Sequence, residues 1–337
     1  LNDFQILLPK ETSEDILKSI SVAVSYSNLE LKKINLYSDL LFKDLIWSIE
    51  GPYDSSYSLA ILNQYFSLAL NNLGEEVIIK SSEGTGDYQP DLDYIDKNPS
   101  LLKLHQESIG KVHNSSISSR NMYPPRVNDL KSYINLLHAY GWEESEIPFE
   151  WVYDFNNYLS GMTVMSSFVK KILIDNGVTI PISVCGLGVN HIEPIHDFEK
   201  LNIQFKKYNF LHISSCFPRK GIDILIDAFE NVFSSNDDVS LIIKTFPNPH
   251  NQVEDYLKKK KASNKYFPQV FLIQDDLKPS QLLSLYKSSH ALVAPSYGEG
   301  FGLPIAEAMY LRLPIITTGW GGQRDFCNSQ NSWLIDY

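Results

Sequence analysis

The sequence predicts an α/β protein made of two doubly wound, Rossmann-like domains. Three observations carry this expectation. The chain has 337 residues, and at roughly 100–200 residues per domain two are expected. From Asp44 onward, apolar runs of strand length alternate with segments of helical spacing, an order that implies parallel sheets covered on both faces. A glycine-rich stretch ends one strand and opens a helix, the place where such sheets bind ligands.

The first half reads as follows. Residues 1–43 carry no clear motif beyond a helix expected over 11–26, with Thr12 or Ser13 as its cap, and are read as an N-terminal extension. An apolar run at 45–49 is broken by Gly51, Pro52 and Asp54. Apolar residues at 59, 62, 65, 66, 69, 70 and 73 then recur at helical spacing. Gly74 stops that helix, and 77–79 resumes an extended run, completing a βαβ unit with a right-handed crossover. The polar stretch 81–108 reads as a long loop with a short helix. Further strands are expected at 110–112, 133–139, 162–165 and 182–185, and helices at 149–159 and 167–176. Gly186, Gly188 and Pro194 mark a linker. The domains are therefore drawn at 44–188 and 189–337.

The second half is more regular. Strands are expected at 210–214, 240–245, 270–273, 291–294 and 314–317. Helices fall between them at 222–233, 252–261, 281–288 and 304–311. The run Lys258–Lys261 sits at a helix C-terminus, where it complements the helix dipole; contact with a membrane surface is the sharper alternative.

Composition narrows the function. Apolar residues make up 43% and charged residues 20%, enough for sizeable cores. Twenty-nine Lys and Arg against 40 Asp and Glu give a net charge of −11, which argues against a nucleic-acid binder. Cys185, Cys216 and Cys327 are too sparse for a disulfide framework or a metal pair. The N-terminus lacks the pattern of a signal peptide and no apolar run is long enough to span a bilayer, so a reducing, cytoplasmic setting is expected. Asn114-Ser115-Ser116 matches a glycosylation acceptor, a tripeptide common by chance. The chain begins at Leu1 rather than Met and stops abruptly at Tyr337, and it reads as a piece of a longer polypeptide.

The chemistry concentrates at 294–309, APSYGEGFGLPIAEAM. Gly298, Gly300 and Gly302 let the backbone approach a ligand, and Pro304 suits a first helical turn. A helix N-terminus offers amides and a positive dipole end to a phosphate. Glu299 and Glu307 bracket the loop, and a carboxylate can hold the two hydroxyls of a vicinal diol. Each glutamate taken alone reads as a solvated charge; the glycine loop gives the pair its meaning. A second element, Pro218-Arg219-Lys220-Gly221, lies at another strand-to-helix turn, where two cations suit a diphosphate. A charged surface turn is the plain alternative.

These residues resemble a known family. From about Asp44 to Tyr337 the chain is similar to retaining glycosyltransferases of family 4, with the GT-B fold: two Rossmann-like domains facing a cleft. The E-x7-E element Glu299…Glu307 is the most specific part. RKGIDILIDAF at 219–229, LIIK ending at Lys244 and QLLSLYKSSHALVAPS match in order and spacing. SSRNMYPPR at 118–126 and WEESEIP at 142–148 look like bacterial members that build surface polysaccharides. The resemblance implies that Glu307 holds the nucleotide ribose and Glu299 the donor sugar. It implies that Arg219 and Lys220 face the diphosphate and that the backbone of Gly300, Phe301, Gly302 and Leu303 touches sugar and phosphate. It assigns Lys244 to the donor site and gives His138 the place of a donor-facing histidine, although a lone histidine is more often structural. Members commonly carry an Arg a few residues before the turn lysine, where this chain has Ser214 and Ser215. They also carry more chain beyond the glutamate helix, so the second domain reads as incomplete.

The expected reaction moves a hexose from a UDP-, GDP- or ADP-sugar to a glycan or lipid-linked acceptor. The resemblance implies retention of configuration, with the leaving phosphate accepting the acceptor's proton and with no cofactor or essential metal. Asp91-Leu92-Asp93 matches the short string of metal-dependent transferases but sits in a polar loop. Three other readings compete. A nicotinamide dehydrogenase would need GxGxxG at the first strand-helix turn, which reads GPYDSSYS instead. A non-catalytic protein that only binds sugar nucleotides would keep the fold alone. A phosphorylase would need an identifiable lysine for pyridoxal phosphate.

Overall fold

A computed structural model of the chain describes residues 45–82, 89–110, 115–192 and 198–337. The expected helix at 11–26, the strand residues 111 and 112, Asn114 and Pro194 lie outside them. The chain divides into two compact units. One takes the described residues up to Tyr140 together with Pro148–Thr163 and Gly177–Ser183; the other takes Gly141–Ile147, Val164–Asn176 and Val184–Tyr337.

The first sheet contains β1 (Ile46–Glu50), β2 (Glu76–Lys80), β3 (Ile117–Arg120), β4 (Ile134–Tyr140), β5 (Gly161–Val164) and β6 (Ile182–Val184), in the order β2-β1-β3-β4-β5-β6. Its helices are α1 (Ser58–Asn72), α2 (Leu92–Ile95), α3 (Pro99–Ser108) and α4 (Phe149–Tyr158); α5 (Ser167–Asp175) belongs to the second unit. Strand order reverses between β1 and β3, which pair in parallel with Ser48 opposite Ser118 and Glu50 opposite Arg120. Side chains alternate across a strand. Trp47, Ile49, Val77, Ile79 and Ile117 therefore share one face, packed with Leu101 and Leu104 of α3.

Two expectations change here. The stretch 81–108 holds a ten-residue helix, α3, because Asn98 caps it by accepting from Leu101 N–H and Pro99 starts its first turn. Gly110, the one described residue of the strand expected at 110–112, is a turn residue, and a strand the sequence did not announce, β3, lies at Ile117–Arg120. Asp91, of the Asp-x-Asp string, is the cap of α2 and accepts from Tyr94 N–H.

The second sheet runs β12-β11-β10-β7-β8-β9, from β7 (Tyr208–Ile213), β8 (Val239–Lys244), β9 (Gln269–Ile273), β10 (Ala291–Ala294), β11 (Ile315–Thr318) and β12 (Trp333–Ile335). Its further helices are α6 (Ile222–Val232), α7 (Val253–Ser263), α8 (Pro279–Lys287) and α9 (Leu303–Tyr310). Leu211, Ile242, Leu292 and Ile315 pack on one face with Leu285 of α8 and Ile305 of α9. Leu241, Ile243 and Val293 pack on the other with Ile226 of α6 and Leu257 of α7. Strand order reverses between β7 and β10. The Lys258–Lys261 run ends α7, and Lys260 pairs with Asp227 at 2.7 Å and Glu230 at 2.9 Å. Cys216 and Cys327 are buried thiols and Cys185 is exposed. Among the described residues, no helix is long and apolar enough to cross a membrane.

Candidate functional site

The two sequence elements that carry chemistry leave the carboxyl ends of β7 and β10, the strands on either side of the reversal in the second sheet. Ligands of doubly wound sheets bind at that point. After β7 the chain turns through Pro218–Lys220 into α6, with Gly221 as the junction at φ +64°. A Cβ on Gly221 would stand 2.3 Å from Pro295 O, so only glycine lets this turn lie against the start of the glycine loop. Tyr297 N–H donates to Arg219 O at 2.8 Å, holding the two segments together.

Four charged groups meet there. Glu299 is 8% exposed. Its Oε1 accepts from Lys220 Nζ at 2.6 Å and from Ser296 Oγ at 2.7 Å. Burial pushes this carboxyl up, but Lys220, Arg219 and the Ser296 bond outweigh it and hold Glu299 below the usual range. Arg219 donates from Nη1 to Gly298 O at 2.9 Å and from Nη2 to Glu143 Oε1 at 3.0 Å. Burial raises Glu143 above an ordinary glutamate, with Arg219 only partly offsetting it.

Glu307, in α9, is equally buried. Its Oε1 stands 2.6 Å from His191 Nε2 and its Oε2 accepts from Tyr286 OH at 2.5 Å. Burial and the Glu307 charge raise Tyr286 well above an ordinary phenol, so it stays a donor. A carboxylate offers about four acceptor sites, so roughly two remain for a ligand diol. Gly302 caps α9 at φ +87°, a conformation that costs glycine little. The first-turn amides of a helix have no helical acceptor, and Leu303 N–H is one of them. Phe301 is buried against Phe326. Gly300 O accepts from Ser166 Oγ at 2.5 Å, and Glu299 O accepts from Gly322 N–H at 2.7 Å.

The turn after β7 is set by a histidine. His212 Nδ1 lies 2.8 Å from Val293 O, which can only accept, so Nδ1 carries the proton. Nε2 then accepts from Ser214 Oγ at 2.7 Å, and Ser214 Oγ accepts from Cys216 N–H at 3.0 Å. Burial lowers His212 to about 4 and keeps it neutral.

The structure thus brings Arg219, Lys220 and Glu299 together, with Glu307 on the helix that follows the same loop. Lys244 ends β8, where its Nζ donates to Thr245 O and burial lowers its proton affinity. His138 lies in the first unit. Its Nδ1 is 2.9 Å from Ser119 Oγ, its Nε2 is 2.7 Å from Asn63 Oδ1, and its ring stacks on Phe66. Burial lowers it to about 3, so it is neutral with both nitrogens engaged inside the unit. Glu143, Ser166, His191 and Tyr286 escaped the sequence reading. Glu143 and Ser166 meet the site through contacts 76 and 134 residues long, which leave no local signal. Glu143 lay in the WEESEIP stretch and Tyr286 in QLLSLYKSSHALVAPS, both matched as blocks with no role given to either residue.

Residues 195–336 match the family described as Glycosyl transferases group 1. Among curated proteins, the chain is 32% identical over 108 residues to the serotype-specific mannosyltransferase WbdA of Escherichia coli, covering 32% of this chain and 13% of that protein. It is 27% identical over 188 residues to the capsular polysaccharide biosynthesis glycosyltransferase CapM of Staphylococcus aureus, covering 52% and 47%. The chain thus spans less than half the length of either. Among solved structures, sucrose-phosphate synthase from Thermosynechococcus elongatus superposes with a TM-score of 0.63 at 14% identity, covering 87% of this chain and 86% of that one. A glycosyltransferase from Rickettsia africae gives 0.58 at 19% identity, covering 87% and 85%. Anabaena HepE in complex with UDP-glucose gives 0.52 at 15%, covering 87% and 85%. Residues 195–336 are therefore a glycosyl transferases group 1 domain, carried in a chain with the GT-B fold of two Rossmann-like sheets.

Proposed function

We propose that the chain is a retaining family 4 hexosyltransferase. It moves a hexose from a UDP-, GDP- or ADP-sugar to a glycan or lipid-linked acceptor during polysaccharide assembly. The observation that carries this is the buried Glu299 with Lys220 at 2.6 Å, at the strand-order reversal of the second sheet. The name of CapM supports polysaccharide assembly, that of WbdA supports transfer of a hexose, and the HepE complex supports a nucleotide-sugar donor.

In this reading the ribose diol uses the acceptor sites of Glu307 that Tyr286 and His191 leave open. The donor sugar takes Glu299. The diphosphate draws Lys220 from Glu299 and Arg219 from Glu143, and it faces the amides of Gly302 and Leu303 with the backbone of Gly300 and Phe301 alongside. These charges are in place before the sugar–phosphate bond breaks, where preorganised electrostatics count most. The departing phosphate oxygen takes the acceptor's proton as the new glycosidic bond forms on the same face. Neither a resident cofactor nor an essential metal enters. His138 enters through the family resemblance alone, as does Lys244. The acceptor falls to the first unit, and the reaction is cytoplasmic, at the membrane face where lipid-linked acceptors lie.

Transfer by the intact chain is tested against a panel of nucleotide sugars, after ranking them by thermal stabilisation. Glu299→Gln is expected to lower the transfer rate by about 10²–10³-fold while the nucleotide still binds. A wild-type rate in that variant, or no transfer or hydrolysis of any donor by the parent, overturns the reading.

A further inference from the structure

The first unit contains a cavity that the proposed reaction does not use. Alternation along β1 and β3 puts Ser48, Glu50, Ser118 and Arg120 on the face opposite the apolar cluster. All four are buried. Parallel sheets ordinarily bury apolar side chains on both faces. The connection from β3 to β4, residues 121–133, has no helix, and it shares with this face the walls of a cavity of about 540 Å³. Pockets for small ligands run to roughly 300–1,000 Å³. The strand order reverses between β1 and β3, and Glu50 and Arg120 are the last residues of those strands. The cavity therefore runs along this face, from the carboxyl ends of β1 and β3 at Glu50 and Arg120 to the amino ends of β3 and β4 at Ser115 and Ser132.

The walls divide into a frame and a set of groups turned to the space. Arg120 belongs to the frame: it donates to Glu50 Oε2 at 3.1 Å from Nε and 2.5 Å from Nη2, and to Asp129 Oδ1 at 2.6 Å from Nη1. Glu50 Oε1 accepts from Ser48 Oγ at 2.9 Å and Lys80 Nζ at 3.3 Å. A buried ion pair is a poor source of stability compared with apolar packing. A ligand explains a polar face here better than folding does. Apart from Leu130, the other wall groups are hydroxyls and cations. Ser132 Oγ lies 2.6 Å from Ser115 Oγ and 2.8 Å from Ser118 Oγ, with Lys131 and Tyr133 on either side in the chain. Lys80, Arg120, Arg126 and Lys131 face two carboxylates, Glu50 and Asp129, so the walls carry a surplus of positive charge.

We propose that this cavity binds a phosphorylated monosaccharide, the phosphate against Lys131 and Lys80 and the sugar hydroxyls against Ser115, Ser118 and Ser132. Clustered hydroxyls both donate and accept, as a polyol requires, and the cationic surplus selects the phosphate. The inference stands on the first unit and does not depend on the proposed transfer.

Glucose 6-phosphate, glucose and inorganic phosphate are titrated calorimetrically into the full chain. Glucose 6-phosphate is expected to bind with a Kd on the order of 0.1–1 mM, and the other two at least about tenfold more weakly. Lys131→Glu and Ser132→Ala change exposed or half-buried positions outside the frame, and unfolding curves check that they fold. Each is expected to weaken glucose 6-phosphate at least about threefold, with Lys131→Glu the larger. Glu307→Gln, in the other unit, is expected to leave it unchanged. Absence of saturable binding, inorganic phosphate binding as tightly as the sugar phosphate, unchanged affinity in Lys131→Glu, or loss in Glu307→Gln each overturns the proposal.

Discussion

The two sheets have the same number of strands and the same reversal of order, but they treat their faces differently. The second is apolar on both sides, with Leu211 and Ile242 on one and Leu241 and Ile243 on the other. The charged pair of its site, Lys220 and Glu299, stands beyond the strand ends on turns, with Lys244 at the very end of β8. The first is apolar on one side, and on the other a buried Glu50–Arg120 pair, with Ser48 and Ser118, sits among apolar residues such as Ile78 and Leu137. One unit therefore separates its scaffold from its chemistry. The other places charge within the scaffold itself.

The largest expected effect tests that contrast. Arg120→Ala leaves Glu50 buried without its main partner and should cost about 3–5 kcal/mol of stability, read from urea unfolding. Replacing both members, Glu50→Met with Arg120→Met, makes this face resemble those of the second sheet and should recover most of the loss. If the single change costs no more than the double, the pair is not a buried unit and the contrast fails. A smaller effect is expected in the second sheet. Tyr286→Phe removes one charge-assisted bond to Glu307, worth about 1.5–3 kcal/mol, and should weaken nucleotide-sugar binding in calorimetry.

The smallest effect has an unusual sign. Glu143 competes with a diphosphate for Arg219, so Glu143→Gln should tighten the best-binding nucleotide sugar about two- to fivefold. A purely structural glutamate would weaken binding when changed. The pH dependence follows the same logic. Glu143 is raised, so it takes up a proton before an ordinary carboxyl as pH falls, and Arg219 is released. Glu299 is held low and stays ionised through that window. Wild-type binding should therefore strengthen toward acid, while the Gln variant stays flat.

The same contrast decides what could be read in the sequence. Strands of the second sheet announced themselves because continuous apolar runs are what a sheet buried on both faces requires. Glu299, Glu307 and Lys220 were legible because each sits within a few residues of a glycine that marks its turn. β3 was not, since ISSR turns serine and arginine to a polar face and carries no strand signal. β12, three residues long, offers too little pattern. α3 hid in a polar stretch because only Leu101, Leu104 and His105 of its ten residues are buried. The partners of the site, Glu143 and Tyr286 among them, depend on where the fold brings distant residues, which periodicity does not report.

His212 gives the second site a property of its own. Its imidazole bridges neighbouring strands, fixed to the carbonyl of Val293 on β10 and, through Ser214, to the amide of Cys216 beyond β7. It acts as a rivet between the two arms of the site, giving the lysine turn and the glutamate loop a common origin. Neither arm can drift along its strand without breaking that joint. The spacing of Lys220 and Glu299 is thus inherited from the register of two strands in the core.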